Sequence, residues 1–439
     1  MRFYSTNNPS QFVTLKEAVL QGLAADNGLY MPEHIPVFKK DFFAGIHEMD
    51  FRELALAVAR EFAGEEVPLP ALRKIIDHTL QFDAPLVTLE EHVSALELFH
   101  GPTMAFKDFG ARFMSQLLGY FAEQINREIV ILVATSGDTG SAVANGFLGV
   151  SGIRVVVLYP SGKVSDIQEK QFTTLGENIT AFEVQGTFDD CQRLVKQAFL
   201  DQDLRDSFFL TSANSINIAR LIPQSFYYFY AYARRRHRGK PVVFSVPSGN
   251  FGNLTGGLLA KRMGLPVQQF IAATNVNDVV PAYLKTGIMK PRPSKHTISN
   301  AMDVGNPSNF ARLMDLYQND LGVISKDITG YPFTDAETED AIRTVMAAHG
   351  YLLDPHGAVG YLGLKRYLSE NHADVNGIFL ETAHPAKFKE VVEKAIQRSI
   401  PLPHALERFV KGEKKVIGIS RAYTDFKRTL LAGPGVQNI

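Results

Sequence analysis

The sequence predicts an α/β protein, with parallel sheets covered by helices on both faces and a mixed, mostly helical region ahead of them. Three observations predict it. From residue 128 onward, buried-strand runs alternate with helical patterns at the spacing of strand–helix units. Several of those strands lead into turns that combine glycine with hydroxyl or amide side chains and then open onto a helix. Residues 1–95, in contrast, carry their apolar residues mainly at helical spacing.

The composition is that of a globular chain with a large core. The chain has 439 residues, of which 45% are hydrophobic and 21% charged. Its formal net charge of −1 gives no polyanion-binding surface, so no nucleic-acid partner is expected. The single cysteine, Cys191, rules out an intrachain disulfide and fits a reducing compartment. The first residues lack the apolar core of a signal peptide. No apolar run reaches ~18 residues, so no membrane span is expected. These features together predict a cytoplasmic protein. The expected organisation is an N-terminal domain over 1–82, an α/β core over 83–400 and a C-terminal extension over 401–439.

In order along the chain, a first helix is expected over 15–23 with Thr14 at its start, then a turn at Asp26-Asn27-Gly28. Helices are expected over 51–62 and 72–80. Short strands over 84–89 and 93–98 suit a hairpin. Thr103 suits the N-cap of the next helix. On that helix Phe106, Phe109, Phe113, Leu117 and Phe121 form one stripe, and Lys107, Ala111, Met114 and Leu118 form another. Two apolar stripes describe a largely buried helix, with Asp108 and Arg112 as an i,i+4 pair on its polar side. Strands follow over 128–134, 153–159, 179–184, 241–246 and 269–273. Between them helices are expected over 139–148, 167–175, 188–200 and 253–263, with one long helix over 216–236. The basic run 234–238 complements the dipole at that helix's C-terminus. Gly433-Pro434-Gly435 suits a loose terminus.

The chemistry centres on Lys107. A lysine in the first turn of a buried helix loses hydration of its charged form, so its pKa falls and its amine becomes nucleophilic. The alternative is a helix-start lysine that snorkels to water. The post-strand turns are Thr135-Ser136-Gly137-Asp138-Thr139-Gly140, Pro160-Ser161-Gly162-Lys163, Pro247-Ser248-Gly249-Asn250-Phe251-Gly252-Asn253 and Glu381-Thr382-Ala383-His384-Pro385-Ala386-Lys387. Backbone N–H groups at such helix starts cradle anions. Several in one chain suggest a ligand with more than one anionic group. Walker, dinucleotide, G-x-S-x-G and H-E-x-x-H patterns are absent, and scattered His and Cys residues predict no metal. His384 suits a structural or a functional role equally. A lysine in a dry setting beside anion loops fits a phosphate-bearing carbonyl cofactor, pyridoxal 5′-phosphate.

These motifs make the chain resemble the threonine synthase family, in its longer bacterial and fungal subfamily, a branch of the fold-type II (tryptophan synthase β-like) pyridoxal-phosphate enzymes. The resemblance runs from Tyr4-Ser5-Thr6-Asn7 through the 25–30, 100–108, 135–140, 248–253 and 301–309 segments to 382–387. It implies two open α/β lobes with the cofactor between them. It also implies that Lys107 forms the Schiff base, that Gly249, Asn250, Phe251, Gly252 and Asn253 hold the cofactor phosphate, and that Thr382 meets the pyridine nitrogen, with the adjacent Glu381 as rival. Asn214, Ser215, Asn217 and Arg220 resemble the segment that meets the cofactor and the substrate phosphate, with Arg220 as the phosphate fork. Lys163 is a second cation for that phosphate. Ser136, Gly137, Asp138 and Thr139 resemble the loop for the substrate's α-carboxylate, Asp138 standing where shorter relatives usually carry asparagine.

The activity so implied converts O-phospho-L-homoserine and water to L-threonine and phosphate, in threonine biosynthesis, by a monomer. The freed Lys107 amine moves protons at Cα and Cβ, phosphate leaves Cγ, and water adds at Cβ. Two alternatives are a phospho-lyase on the same scaffold, releasing 2-oxobutyrate and ammonia, and a non-catalytic α/β binding protein.

Overall fold

A computed structural model describes residues 1–125, 127–235, 239–372 and 374–433. Its strands are β1 (Arg2–Ser5), β2 (Asn8–Thr14), β3 (Tyr30–Pro32), β4 (Leu86–Glu90), β5 (Val93–Glu97), β6 (Ile129–Ala134) and β7 (Ile153–Pro160). They continue as β8 (Ile179–Gln185), β9 (Phe209–Ser212), β10 (Val242–Pro247), β11 (Val267–Thr274), β12 (Ile328–Pro332), β13 (Asn376–Glu381) and β14 (Ile417–Ser420).

Two sheets carry the core. One has the order β12-β11-β10-β13-β5-β4 and the other β14-β8-β7-β6-β9. Every pairing in them is parallel except the β4–β5 hairpin. The central strands β6, β10 and β13 are buried along their whole length, as sheets covered on both faces require. Because the strands run parallel, the turns at their carboxyl ends fall along one edge of each sheet.

The N-terminal region holds more strand than its periodicity suggests. Its helices Leu15–Gln21, Phe51–Ala63 and Leu69–Thr79 match expectation, the first two closed by Thr14 and Asp50 capping boxes. Beside them β2-β1-β3 form an antiparallel sheet. The long helix expected over 216–236 is broken. It runs as Ile218–Leu221, a tighter 3-10 turn over Ile222–Ser225, then Phe226–Arg235. Pro223 sits in the 3-10 turn, where its missing N–H removes a helical hydrogen bond. Arg234 and Arg235 do end that helix, while 236–238 of the basic run lie outside the described residues. Residues 434 and 435 of the expected loose terminus also lie outside them. Among the described residues no helix is long and apolar enough to cross a membrane.

Candidate active site

Lys107 opens the helix Lys107–Ala122, with 18% of its side-chain surface accessible. Two expectations about this helix are corrected. Thr103 is not its N-cap: Phe106 holds that place without a side-chain cap. Asp108 does not pair with Arg112. Its carboxylate instead accepts hydrogen bonds from Thr103 N at 2.8 Å and Thr103 Oγ1 at 2.7 Å. Arg112 turns the other way, to the carbonyls of His78 and Thr79 and to Gln81 Oε1. The reason is burial: Asp108 is sealed from solvent and needs donors at hand, and the 101–106 corner supplies them.

That corner is stitched to the end of β13. Leu98 N donates to Glu381 O at 2.9 Å, Phe106 N to Thr382 O at 2.8 Å and His384 N to Met104 O at 3.0 Å. An antiparallel bridge joins Ala105 to Ala383. Backbone pairing thus brings the Lys107 segment and the Thr382 segment together. Burial lowers the Lys107 pKa first; Lys387 and Arg220 lower it further, while Asp138 and Asp354 oppose them. Glu381 is fully buried, faces Asp354 and Gly357, and is pushed well above the carboxylate range by that burial and by Asp354. His384 accepts from Ala386 N at 3.1 Å, capping the turn Pro385–Phe388, and burial lowers its pKa to about 4. It is a neutral structural cap.

The turn after β6 is held by Thr135, whose Oγ1 accepts from Gly137 N at 3.0 Å and Gly140 N at 2.8 Å. Gly137 lies at φ 142°, and a Cβ there would come within 2.6 Å of the Gln168 side chain. Asp138 then starts the helix Asp138–Phe147. Ser136 is exposed and Thr139 half-buried. Asp138 Oδ1 meets Lys387 Nζ at 2.6 Å and Gln168 Nε2 at 2.8 Å, and Oδ2 lies 4.0 Å from Lys107 Nζ. Burial alone would raise this carboxylate's pKa, but Lys387 first and then Lys107 hold it well below its usual range.

The turn after β10 leads into the helix Gly252–Arg262. Phe251 adopts a left-handed conformation at φ 61° just before it. Asn250 is fixed from both sides: its Nδ2 donates to Ser215 Oγ at 2.8 Å and its Oδ1 accepts from Ser308 N at 2.6 Å. Asn253 Oδ1 accepts from the hydroxyls of Tyr227 and Tyr228, each at 2.7 Å. Arg220 is buried, donates to Ala213 O at 2.5 Å and forms no ion pair among the described residues.

Two expected residues behave differently. Asn217 has its amide engaged by Val19 O, Ser212 O and Ala219 N, so it caps the helix Ile218–Leu221 and has no polar atom left for a ligand. Lys163 is exposed in the turn after β7, and among the described residues no hydrogen bond or ion pair joins its side chain to the rest of the set. Residues to which the sequence reading gave no role are equally central: Lys387, Gln168, Tyr227, Tyr228 and Arg312. Lys387 alone carried a signal, a lysine set among proline, alanine and phenylalanine as Lys107 is.

These residues fit pyridoxal phosphate. Asn253 Nδ2, Asn214 Oδ1 and Arg220 Nε are buried without hydrogen-bond partners among the described residues. A buried polar atom without a partner calls for an explanation, and at this site a bound group supplies one. Their chemistry, two donors and one acceptor on the segments that carry the anion loop and the 214–220 turn, suits a phosphorylated heterocycle. Lys107 supplies the amine for its aldehyde.

Comparison with known proteins gives the family. A family model described as pyridoxal-phosphate dependent enzyme matches residues 81–377. Models for the threonine synthase N terminus and C-terminal region match residues 2–80 and 357–429. The threonine synthase of Serratia marcescens is 47% identical over 92% of this chain and 93% of its own. The crystal structure of threonine synthase from Escherichia coli superposes with a TM-score of 0.91 at 41% identity, covering 98% of this chain and all of that one. A pyridoxal-phosphate-bound threonine synthase from Brucella melitensis superposes with a TM-score of 0.91 at 33% identity, covering 98% of each chain. The chain belongs to the threonine synthase family of pyridoxal-phosphate-dependent enzymes.

Proposed function

We propose that this chain converts O-phospho-L-homoserine and water to L-threonine and phosphate, with Lys107 moving the protons. One observation carries the reading: the poorly hydrated Lys107 amine lies 4.0 Å from the first residue of an anion-type helix start, beside the Thr382 strand end. Lys107, Asn214, Thr382 and the 249–253 turn would hold pyridoxal phosphate, which supplies an electron sink for charge released at the substrate's α-carbon.

The chain's own residues do the rest. Burial lowers the Lys107 pKa, which suits its amine to accept a proton from Cα and to return one at Cβ. With Gly137 N already bound to Thr135 Oγ1, the helix start at Asp138 and Thr139 presents backbone N–H groups to the α-carboxylate. Arg220, cationic and without an ion pair among the described residues, takes the phosphate as it leaves Cγ. Thr382 offers a hydroxyl to the ring nitrogen and does not enforce its protonation. Lys163, exposed as it is, serves at most the outer rim, and Asn217 supports the 214–220 turn from behind.

The same reading takes the chain as a cytoplasmic monomer without nucleic-acid or membrane partners. It takes 1–82 as a docking unit, 83–400 as the catalytic core and 401–439 as an extension of that core. The family matches over 2–80 and 81–377 support the first boundary. Pairing of β14 onto β8 supports the close attachment of the last segment.

The test is product formation. Wild-type protein given O-phospho-L-homoserine yields threonine and phosphate, and Lys107→Ala lowers the rate by at least about 10³-fold. Borohydride reduction removes the visible band and leaves the label on Lys107. Release of 2-oxobutyrate and ammonia in place of threonine overturns the proposal.

A further inference from the structure

Lys387 is a second buried lysine at the site, and the proton transfers above do not use it. It has no accessible side-chain surface. Its ammonium meets Asp138 Oδ1 at 2.6 Å and donates to Thr103 O at 2.8 Å. It therefore touches the turn after β6, which belongs to one sheet, and the corner before Lys107, which is stitched to the other. Asp138 is the awkward member. It puts a carboxylate in the loop read above as receiving the substrate's carboxylate, and it lies 4.0 Å from Lys107 Nζ. Left alone, it would repel the incoming anion and hold a proton on Lys107.

We infer that Lys387 is a positioning residue that neutralises Asp138, so that Asp138 neither repels the substrate carboxylate nor captures the nitrogen of Lys107. The substrate half of this statement rests on the proposed function; the Lys107 half does not. The charges facing Lys107 are Asp138, Lys387, Arg220 and Asp354. Those around the Lys387–Asp138 pair also include Asp108 and His384. His384 is neutral, and Asp108 is turned to Thr103. Gln168 completes the shell of Asp138 without charge. Within this group Lys387 is the nearer partner of Asp138, at 2.6 Å against 4.0 Å for Lys107, so deleting either member of the Lys387–Asp138 pair changes the charge beside Lys107.

The two deletions must then act in opposite directions. In Lys387→Met holoprotein, the pH midpoint of the cofactor's visible band rises by about one unit or more, because Asp138 now favours the protonated nitrogen. In Asp138→Asn the midpoint falls. The double variant returns towards wild type, and Lys387→Arg, which keeps the charge, stays near it. Capture of pyridoxal phosphate by the cofactor-free chain near neutral pH is read alongside: slower in Lys387→Met, faster in Asp138→Asn. Lys387→Met also raises KM for O-phospho-L-homoserine about tenfold or more. If Lys387→Met does not accumulate, the Asp138→Asn midpoint and capture rate decide alone. Shifts of the same sign in both variants, or no shift in either, overturn the inference and leave Lys387 a strut. Neither the band nor the capture rate needs substrate, so a wrong substrate assignment moves only the KM result.

Discussion

Glu381 and Thr382 are neighbours at one strand end, yet the fold gives them opposite surroundings. Alternation along a strand separates their faces. Glu381 is buried against Gly357, so close that a Cβ on that glycine would lie 2.1 Å from Oε1, and Asp354 N approaches its Oε2 at 3.4 Å. Burial, and after it Asp354, disfavours the charged form and holds the carboxyl well above the ordinary range. The folded state thus binds a proton that the unfolded chain has released. This contribution to stability is complete below the ordinary carboxylate pKa and is lost as pH rises through the folded value. Glu381→Gln keeps the shape without the proton. We expect its stability relative to wild type to improve with rising pH, by up to about 1.4 kcal/mol per pH unit inside that window. Denaturant unfolding at a series of pH values tests this, and parallel curves refute it. Lys107 was legible because a lysine among phenylalanines is unusual within one short stretch. The Lys387–Asp138 pair was not, because its two halves lie far apart in sequence and only the parallel sheets bring them together.

At the scale of elements, the strands and helices of the α/β core were legible wherever an apolar run was long enough to show a period. β6, β7, β10 and the helix Phe188–Leu200 fall close to where the sequence placed them. The failures have physical causes. β9 and β14 have four residues each, too few for any period, and are strands only because a neighbouring edge pairs them. The long helix failed at Pro223, where the tight 3-10 turn packs Gln224 against Gly256. The turn after β10 was read correctly as glycine-dependent, and the geometry says why. A Cβ on Gly249 would lie 2.6 Å from Met302 Cα and 2.9 Å from Ala301 O, backbone atoms that cannot swing aside. Gly249→Ala therefore displaces the turn bodily. We expect cofactor affinity to fall about tenfold or more, while the melting temperature of the cofactor-free chain moves only a few degrees. Spectroscopic titration with pyridoxal phosphate measures the first quantity, and unchanged affinity would show that the turn tolerates the shift.

At the scale of the whole molecule, the sequence separated an N-terminal unit from the core but did not show what joins them. Arg312 is one of the joints, alongside Asn217 on Val19 O and Arg112 on the carbonyls of His78 and Thr79. It is fully buried and spends its fork on backbone and amide oxygens. Nε and Nη2 donate to Tyr30 O at 3.3 and 3.2 Å, Nη1 to Ser215 O at 3.1 Å and Asn309 Oδ1 at 2.9 Å, and Nη2 to Ile216 O at 2.6 Å. Tyr30 begins β3 of the N-terminal sheet, and Ser215 holds Asn250 of the cofactor-phosphate turn. One side chain thus couples the N-terminal unit to the ligand turn. Burial lowers its pKa to about 9, which still leaves it cationic at neutral pH. A lysine in its place has three donors on a single nitrogen and cannot span acceptors set around a planar fork. Arg312→Lys should leave at least one buried carbonyl unpaired and cost about 3 kcal/mol. Because Arg312 holds Ser215 and Asn309, and both of these bond Asn250, the same variant should also release cofactor faster. Thermal unfolding and the rate of cofactor loss, measured on one preparation, decide the matter. A drop in stability with cofactor retention intact would mean that Arg312 ties the N-terminal unit down without reaching the site.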